Sequence, residues 1–211
     1  MKKVGLFFWI FPLVFFVLYS CSTTKKGIIN QEYHTLTTKY NVLFNGKEAF
    51  AVGKQILEQA YEDNFYELLP VEPINLRGEN IDETTIVPGF DRAEEKAVKS
   101  IQKHSIKIND IQYNGQMDDA YLLLGKARYF DRRFFPALEA FNFLLESGAS
   151  RANFVEGKIW REKTNMRLEN DELALNNLKY ILKDSRLKKQ ILADANATIS
   201  QAFINVGKKD S

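Results

Sequence analysis

The sequence predicts an all-α protein in which helices pair into hairpins and the hairpins stack as a short solenoid. Three observations support this fold class. From Tyr33 onward, apolar residues recur at intervals of three and four, as on a helix face, and not at the interval of two that a strand shows. Only five prolines and eleven glycines interrupt the 211 residues. Part of the helical pattern recurs after roughly 35 residues, which is typical of stacked helical units.

The first 20 residues have the composition of an export signal. Lys2 and Lys3 precede an apolar run over residues 4–18, which is shorter than the roughly 20 residues of a membrane-spanning helix. Polar residues follow soon after the run. The sequence therefore predicts a signal peptide over residues 1–20 that is removed on export.

Cys21 follows directly and is the only cysteine of the chain, so an intramolecular disulfide is excluded. Residues 18–21 resemble the lipobox of bacterial lipoproteins, which implies that Cys21 is lipidated. Several acyl chains on one cysteine hold a protein stably on a membrane. Residues 21–32 are then expected to be a lipid-anchored linker. Residues 22–26 lack the acidic residues typical of surface lipoproteins of Bacteroidetes, and this resemblance implies that the protein faces the periplasm from the outer membrane.

Charge and size limit the kinds of partner. Cleavage after residue 20 removes two of the 29 Lys and Arg residues and none of the 27 Asp and Glu residues, so 27 of each remain. A balanced chain without a basic stripe argues against nucleic-acid binding. The remaining chain, roughly 190 residues, suits one domain or one short repeat array. We therefore expect protein partners.

Residues 33–67 are predicted to form an N-terminal helical hairpin. Its first helix has an apolar face that ends at Asn45 and Gly46, a pair typical of turns. Asn45 is the expected N-cap of the second helix, with Glu48 three residues later at the spacing of a capping box.

Prolines and glycines interrupt the helical pattern in residues 68–90, which also contain four acidic residues. This stretch is predicted to be an irregular loop. A loop of this length in a compact unit is either a solvated linker or a binding segment.

Residues 91–211 are predicted to form tetratricopeptide-like helical repeats. Asp91 opens a first helix, and short turns then separate helices at about 118–131, 134–147, 152–168, 171–183 and 187–206. A tetratricopeptide pair needs small residues where its helices approach and larger residues around that contact. In the best-defined copy the small residues are Gly125 and Ala137, and the larger ones are Tyr121, Leu124 and Phe141. A second, looser copy is indicated by Ala174 and Leu178.

One face of the helix at 118–131 is a candidate partner surface, because the first helix of each repeat lines the concave side of such an array. The residues turned away from the Gly125 contact include Asp119, Leu122, Lys126 and Tyr129. Aromatic side chains flanked by polar groups are typical anchors of protein interfaces. The alternative is an ordinary solvated face, with Tyr129 packed on the next repeat.

The residue patterns favour a protein that is not an enzyme. His34 and His104 lie in separate helical segments with no cysteine nearby, so metal-ligand spacing is lacking, and each is expected to be a surface or packing residue. The sequence has no nucleophile elbow, phosphate-binding loop or dinucleotide fingerprint. We therefore expect no metal, no cofactor and no small-molecule substrate.

Two segments resemble the PorW/SprE lipoproteins: residues 33–49, YHTLTTKYNVLFNGKEA, and residues 118–127, DDAYLLLGKA. This resemblance runs through most of the chain. It implies a Bacteroidete tetratricopeptide protein of gliding motility and type IX secretion, anchored in the outer membrane and joining parts of the secretion machine by protein contacts. Two alternatives are a lipoprotein that aids outer-membrane protein assembly or binds extended peptides, and an envelope hydrolase.

Overall fold

The structure, a computed structural model, describes residues 27–66, 69–72 and 88–207. Secondary structure in these residues is almost entirely helical, so the predicted all-α class is confirmed. The predicted signal peptide, Cys21 and most of the predicted loop lie outside the described residues. No helix within the described ranges combines the length and the apolar composition needed to cross a bilayer.

The helical elements follow one another along the chain, and the longest stretch between two of them runs from Ala60 to Phe90. The first three are contiguous: α1 (Ile28–Thr37), a π-helical segment (Thr38–Leu43) and α2 (Phe44–Ala60). The others are α3 (Phe90–His104), α4 (Met117–Phe130), α5 (Phe134–Glu146), α6 (Arg151–Arg167), α7 (Asp171–Ile181) and α8 (Lys189–Asn205). Strands β1 (Lys107–Ile108) and β2 (Ile111–Gln112) form a short antiparallel ladder between α3 and α4.

The N-terminal hairpin predicted for residues 33–67 is wrong. The backbone stays helical through Asn45, whose side-chain amide donates to the carbonyl of Asn41 at 2.7 Å and caps no helix start. Gly46 is small for a packing reason, because a Cβ there would lie 2.9 Å from Leu123 Cδ2. Residues 28–32, expected to belong to the linker, are also helical. The antiparallel partner of α2 is therefore α3, across the loop.

The helices from α2 to α8 pack in two layers. Each contacts the next helix along the chain, and the even-numbered helices α2, α4, α6 and α8 also contact one another in a row. Among the described helices, contacts of that extent join neither α3 to α5 nor α5 to α7. The even-numbered row is therefore the more closely spaced one, and we call it the inner layer. Nearest-neighbour stacking of this kind is the packing of a helical array.

Glycines mark the close contacts between successive helices. The space beside Gly53 of α2 is filled by the ring of Phe90, and that beside Gly125 of α4 by the ring of Phe141. A Cβ on Gly125 would lie only 2.3 Å from Phe141 Cε1. These contacts place aromatic rings against helix backbones, where any added side chain would have to displace them.

Buried apolar side chains form clusters between the layers. The clusters around α3, α4 and α5 include Phe90, Phe141 and Trp160, the last of these from α6. A separate group, which we call the C-terminal cluster, joins α6, α7 and α8 and consists of Ile159, Leu175, Leu178, Ile181, Ala195, Ile199 and Ala202. The core is thus distributed along the array and does not converge on one centre.

A buried polar contact attaches α1 to α3. The Nδ1 atoms of His34 and His104 lie 3.0 Å apart. Asn114 Nδ2 donates to Thr38 Oγ1 at 3.1 Å and to the His104 carbonyl at 2.9 Å. Burial lowers the pKa of both imidazoles, and the nearby His34 and Lys99 lower that of His104 further. Of the two expectations for these histidines, packing is the one observed.

Candidate functional site

Most of the residues predicted to pack the repeat are buried. Leu124, Ala137 and Phe141 are buried between α4 and α5, and Phe141 covers Gly125. Tyr121 is partly buried and stacks on Phe143, with ring centroids 4.3 Å apart. In the later helices, Ala174 and Leu178 of α7 are fully buried.

The prediction that this face of α4 is an exposed partner surface is wrong. Leu122 is buried, and Tyr129 is only 1% exposed. Lys126 forms an ion pair with Glu156 of α6, and Asp119 forms one with Lys47 of α2 at 3.2 Å. The reason is the close spacing of the inner layer, in which this face of α4 packs on α2 and α6. Tyr129 instead belongs to a polar pocket.

Tyr129 places a hydroxyl group at a junction of charged side chains. The hydroxyl donates to Glu72 Oε2 at 2.8 Å and accepts from Arg167 Nε at 2.9 Å. Burial raises the pKa of Tyr129 strongly, and the nearby Glu72 carboxylate raises it further. The phenol therefore stays protonated and serves as a permanent hydrogen-bond donor to the carboxylate.

Lys163 of α6 is the central cation of this pocket. Its side chain is only 6% exposed, and Nζ lies 2.7 Å from Glu72 Oε1 and 2.8 Å from Asp194 Oδ1 of α8. Burial alone lowers the pKa of Lys163, but the two carboxylates outweigh it, and the pKa is raised. A buried ammonium group needs such partners because an unpaired charge is costly to desolvate. We call Tyr129, Lys163, Arg167 and Asp194 the inner-layer pocket.

Helix periodicity brings these side chains to one surface. In α6, Glu156, Trp160, Lys163 and Arg167 follow one another at intervals of three and four and therefore share a face. Trp160 forms the floor beside the pocket: Lys163 Nζ lies 4.3 Å from its ring centroid, and its ring packs edge-on against Tyr129. The favourable contact of an ammonium group with an indole ring holds Lys163 in place.

A short piece of the predicted loop crosses this surface. Glu72 inserts its carboxylate between α4 and α6, where Tyr129 and Lys163 bind one oxygen each. The backbone N–H of Val71 donates to Gln201 Oε1 of α8 at 3.1 Å. The segment 69–72 therefore contacts three inner-layer helices. These contacts are with the chain's own helices, so the binding of a partner by the loop stays a prediction.

The sequence patterns did not predict four residues of this site: Glu72, Lys163, Arg167 and Asp194. One sequence signal indicates the site: residues 161–165 are an uninterrupted polar run inside a helix that must pack on both sides. In the structure, four of these five side chains are buried. Glu162 occupies the other side of α6, accepting from Asn165 at 2.8 Å and from Asn177 of α7 at 3.1 Å. A polar run inside an array indicates buried charge networks.

The described residues form a buried network of charged side chains at the inner layer. They include no group of three or more His, Cys, Asp or Glu side chains that could hold a metal ion. Neither a protein-family model nor a curated protein matches this chain. The geometry allows two hydrogen-bond donors of the inner layer to bind one carboxylate.

Proposed function

We propose that this protein is a non-enzymatic, lipid-anchored scaffold of the outer membrane that faces the periplasm and joins protein components of the type IX secretion and gliding machinery. Two sequence features support this proposal: the lipobox-like residues that end at Cys21, and the similarity of residues 33–49 and 118–127 to the PorW/SprE lipoproteins. The all-α fold is compatible with it.

We infer further that the helical pairs are tetratricopeptide-like. The support is local and geometric. The Gly125 backbone in α4 contacts the Phe141 ring in α5, and Ala137 is fully buried between these helices. The next pair, α6 and α7, buries Ala174 and Leu178 at the corresponding places. The contacts along the inner layer are those expected between stacked units.

A single observation carries the protein-contact role. A short piece of the chain outside the helices, residues 69–72, contacts α4, α6 and α8 and is held there by hydrogen bonds to a side chain of each of these helices. A surface that binds one extended segment has the chemistry to bind another. This observation also favours the second candidate function, a lipoprotein that binds extended peptides.

The lipid anchor has a direct test. Cys21→Ser removes the sulfur that acylation requires, so the variant should remain uncleaved and shift from the outer-membrane to the inner-membrane fraction. Metabolic labelling with a radioactive fatty acid should mark the wild-type protein and not the variant. Ser22→Ala, one residue away, is the matched control and should fractionate as wild type. Fatty-acid labelling of Cys21→Ser would contradict the anchor.

The scaffold role is tested in cells. Deletion of the gene should abolish secretion of type IX cargo and should leave the abundance of outer-membrane barrel proteins unchanged. Photo-crosslinking from the exposed Tyr180 position, followed by mass spectrometry of the membrane fraction, should then identify secretion components. Normal cargo secretion combined with loss of barrel proteins would instead support the assembly function.

A further inference from the structure

The positive and negative charges at the inner-layer pocket are equal in number only when Glu72 is present. Without this residue, the pocket contains the cations Lys163 and Arg167 against the single carboxylate of Asp194. Glu72 binds Lys163 Nζ with one oxygen and the Tyr129 hydroxyl with the other, which completes the balance. A pocket with a buried ammonium group and a buried phenol donor has a strong requirement for one carboxylate.

The residue that satisfies this requirement belongs to a segment that is otherwise lightly held. Leu69 and Val71 are exposed, and the hydrogen bond from Val71 N–H to Gln201 lies at the surface. Glu72 itself comes from the long connection between α2 and α3 and not from a helix of the array. The pocket, in contrast, is built from side chains of three helices. The helices thus supply the donors of the site, and its occupant comes from a segment outside them.

We propose that the inner-layer pocket is a binding site for a carboxylate on an extended segment of a partner protein, and that residues 69–72 are an internal competitor for that site. This inference rests on the proposed peptide-contact function and adds its ligand class and its regulation. A partner binds by replacing the Glu72 carboxylate with its own, so that Lys163 and Tyr129 are hydrogen-bonded to a carboxylate before and after the exchange. Segments without a carboxylate leave Lys163 with Asp194 as its one carboxylate partner in the pocket and leave the Tyr129 hydroxyl without its acceptor, and are rejected.

An internal competitor lowers the apparent affinity for a partner by the fraction of time for which the pocket is free. If the pocket is open less than one-tenth of the time, removal of the Glu72 carboxylate raises the apparent affinity by about tenfold or more. The segment thus keeps the pocket closed to weak ligands and allows a segment with additional contacts along the inner layer to enter.

The test is a binding experiment with the chain's own sequence as probe. A fluorescent peptide with the sequence of residues 66–77, YELLPVEPINLR, is titrated with the full mature chain, and fluorescence anisotropy is recorded. Wild-type protein should bind the peptide weakly, and the Glu72→Ala variant should bind it at least about tenfold more tightly. A peptide with Gln in place of Glu72 should lose that gain. Glu62→Ala, an exposed carboxylate outside the pocket, is the matched control and should behave as wild type.

A second variant shows which atoms bind the peptide. Tyr129→Phe in the Glu72→Ala background removes one donor at unchanged shape and charge, and it should weaken peptide binding by about tenfold, the usual effect of losing a hydrogen bond to a charged group. Circular dichroism confirms that each variant is folded. Equal affinity of wild-type and folded Glu72→Ala protein for the peptide, or equal affinity for the Glu and Gln peptides, would overturn the proposal. Neither result depends on cargo secretion, so the proposed cellular function stands or fails separately.

Discussion

Gly125 shows how one residue fixes the distance between two helices. A Cβ at this position would lie 2.3 Å from the Phe141 ring, which is fully buried and has little room to move. Alanine gains up to about 1 kcal/mol of helix propensity over glycine, but overpacking costs about 1–3 kcal/mol. We expect Gly125→Ala to destabilise the protein by about 1–2 kcal/mol in urea unfolding.

Two other glycines provide controls for this prediction. Gly115 has no atom within 4 Å of its Cβ position, so Gly115→Ala should leave the unfolding midpoint unchanged or raise it slightly. At Gly157 the added Cβ would meet the end of the flexible Leu144 side chain at 2.6 Å, so Gly157→Ala should cost less than Gly125→Ala. An equal loss of stability in Gly125→Ala and Gly157→Ala would mean that the Phe141 ring yields to the added methyl group as readily as the Leu144 side chain does.

Lys163 makes a second prediction at the residue scale. Lys163→Met keeps the length and the apolar contacts of the side chain but leaves Glu72 and Asp194 without their cation. Both carboxylates are partly accessible to water, so we expect a loss of about 1–3 kcal/mol and not the larger cost of a fully buried orphan charge. Thermal melting followed by circular dichroism measures this loss of stability.

The control is an ion pair of the same chemistry at the surface. Lys107 and Asp110 lie 3.2 Å apart with side chains 57% and 96% exposed, so Lys107→Met should change stability by less than about 0.5 kcal/mol. If the two substitutions had the same effect, the pocket would contribute no more than a surface pair.

At the scale of elements, the attachment of α1 depends on two neutral imidazoles. Burial lowers the pKa of His34 and His104, so the folded-state values lie below the unfolded value near 6.5. Their contribution to stability is therefore complete above pH 6.5 and is lost as the pH falls below it. We expect the melting temperature to decrease between pH 7.5 and 5.5.

A variant isolates this effect, because the chain contains only these two histidines. His104→Gln keeps a polar side chain in place but has no titrating group, so its melting temperature should depend less on pH over the same interval. Hydrogen exchange should localise the wild-type loss to α1. An identical pH dependence of both proteins would assign the loss to carboxylates elsewhere.

The elements were predictable where local chemistry alone decides. Serine is a preferred N-cap residue, and the Ser150 side chain accepts from Asn153 N–H at the start of α6. The helix at 118–131 matches α4 within one residue. The turn predicted at Asn45 and Gly46 is wrong because glycine suits both a turn and a close packing contact. The contacts that decide between the two are with Leu123 and Lys96, which are distant in sequence. Sequence patterns carry no information on such distant contacts.

The same limit applies to the candidate site. Its residues are far apart in sequence, between positions 72 and 194. The pocket therefore forms only when α4, α6 and α8 stack. The sequence singled out Tyr129 by its place on a helix face and left two roles open, an exposed anchor or a residue packed on the next repeat, of which the structure shows packing, against Trp160. Which side of α4 faces a neighbour depends on how closely the inner layer packs, and that spacing is a property of the whole molecule.

At the scale of the whole molecule, the distributed core predicts local unfolding. Helical arrays are stabilised by contacts between neighbours, so damage at one end should not reach the other. The C-terminal cluster joins α6, α7 and α8, whereas Phe90 and Phe141 belong to clusters around α3, α4 and α5. Ala195→Asp places a charge at a fully buried position of α8.

We expect Ala195→Asp to remove hydrogen-exchange protection from α7 and α8, because an unpaired buried carboxylate costs several kcal/mol and α8 has no stacked helix beyond it in the described structure. Peptides from α3, α4 and α5 should keep wild-type protection, since their buried contacts are with each other and with α2 and α6. Asn196→Asp introduces the same carboxylate at the next, exposed position of α8 and should leave protection unchanged throughout. If only neighbouring helices stabilise one another, a charge in α8 acts only on the helices that touch α8. Uniform loss of protection in Ala195→Asp would therefore mean that all the helices unfold as one cooperative unit.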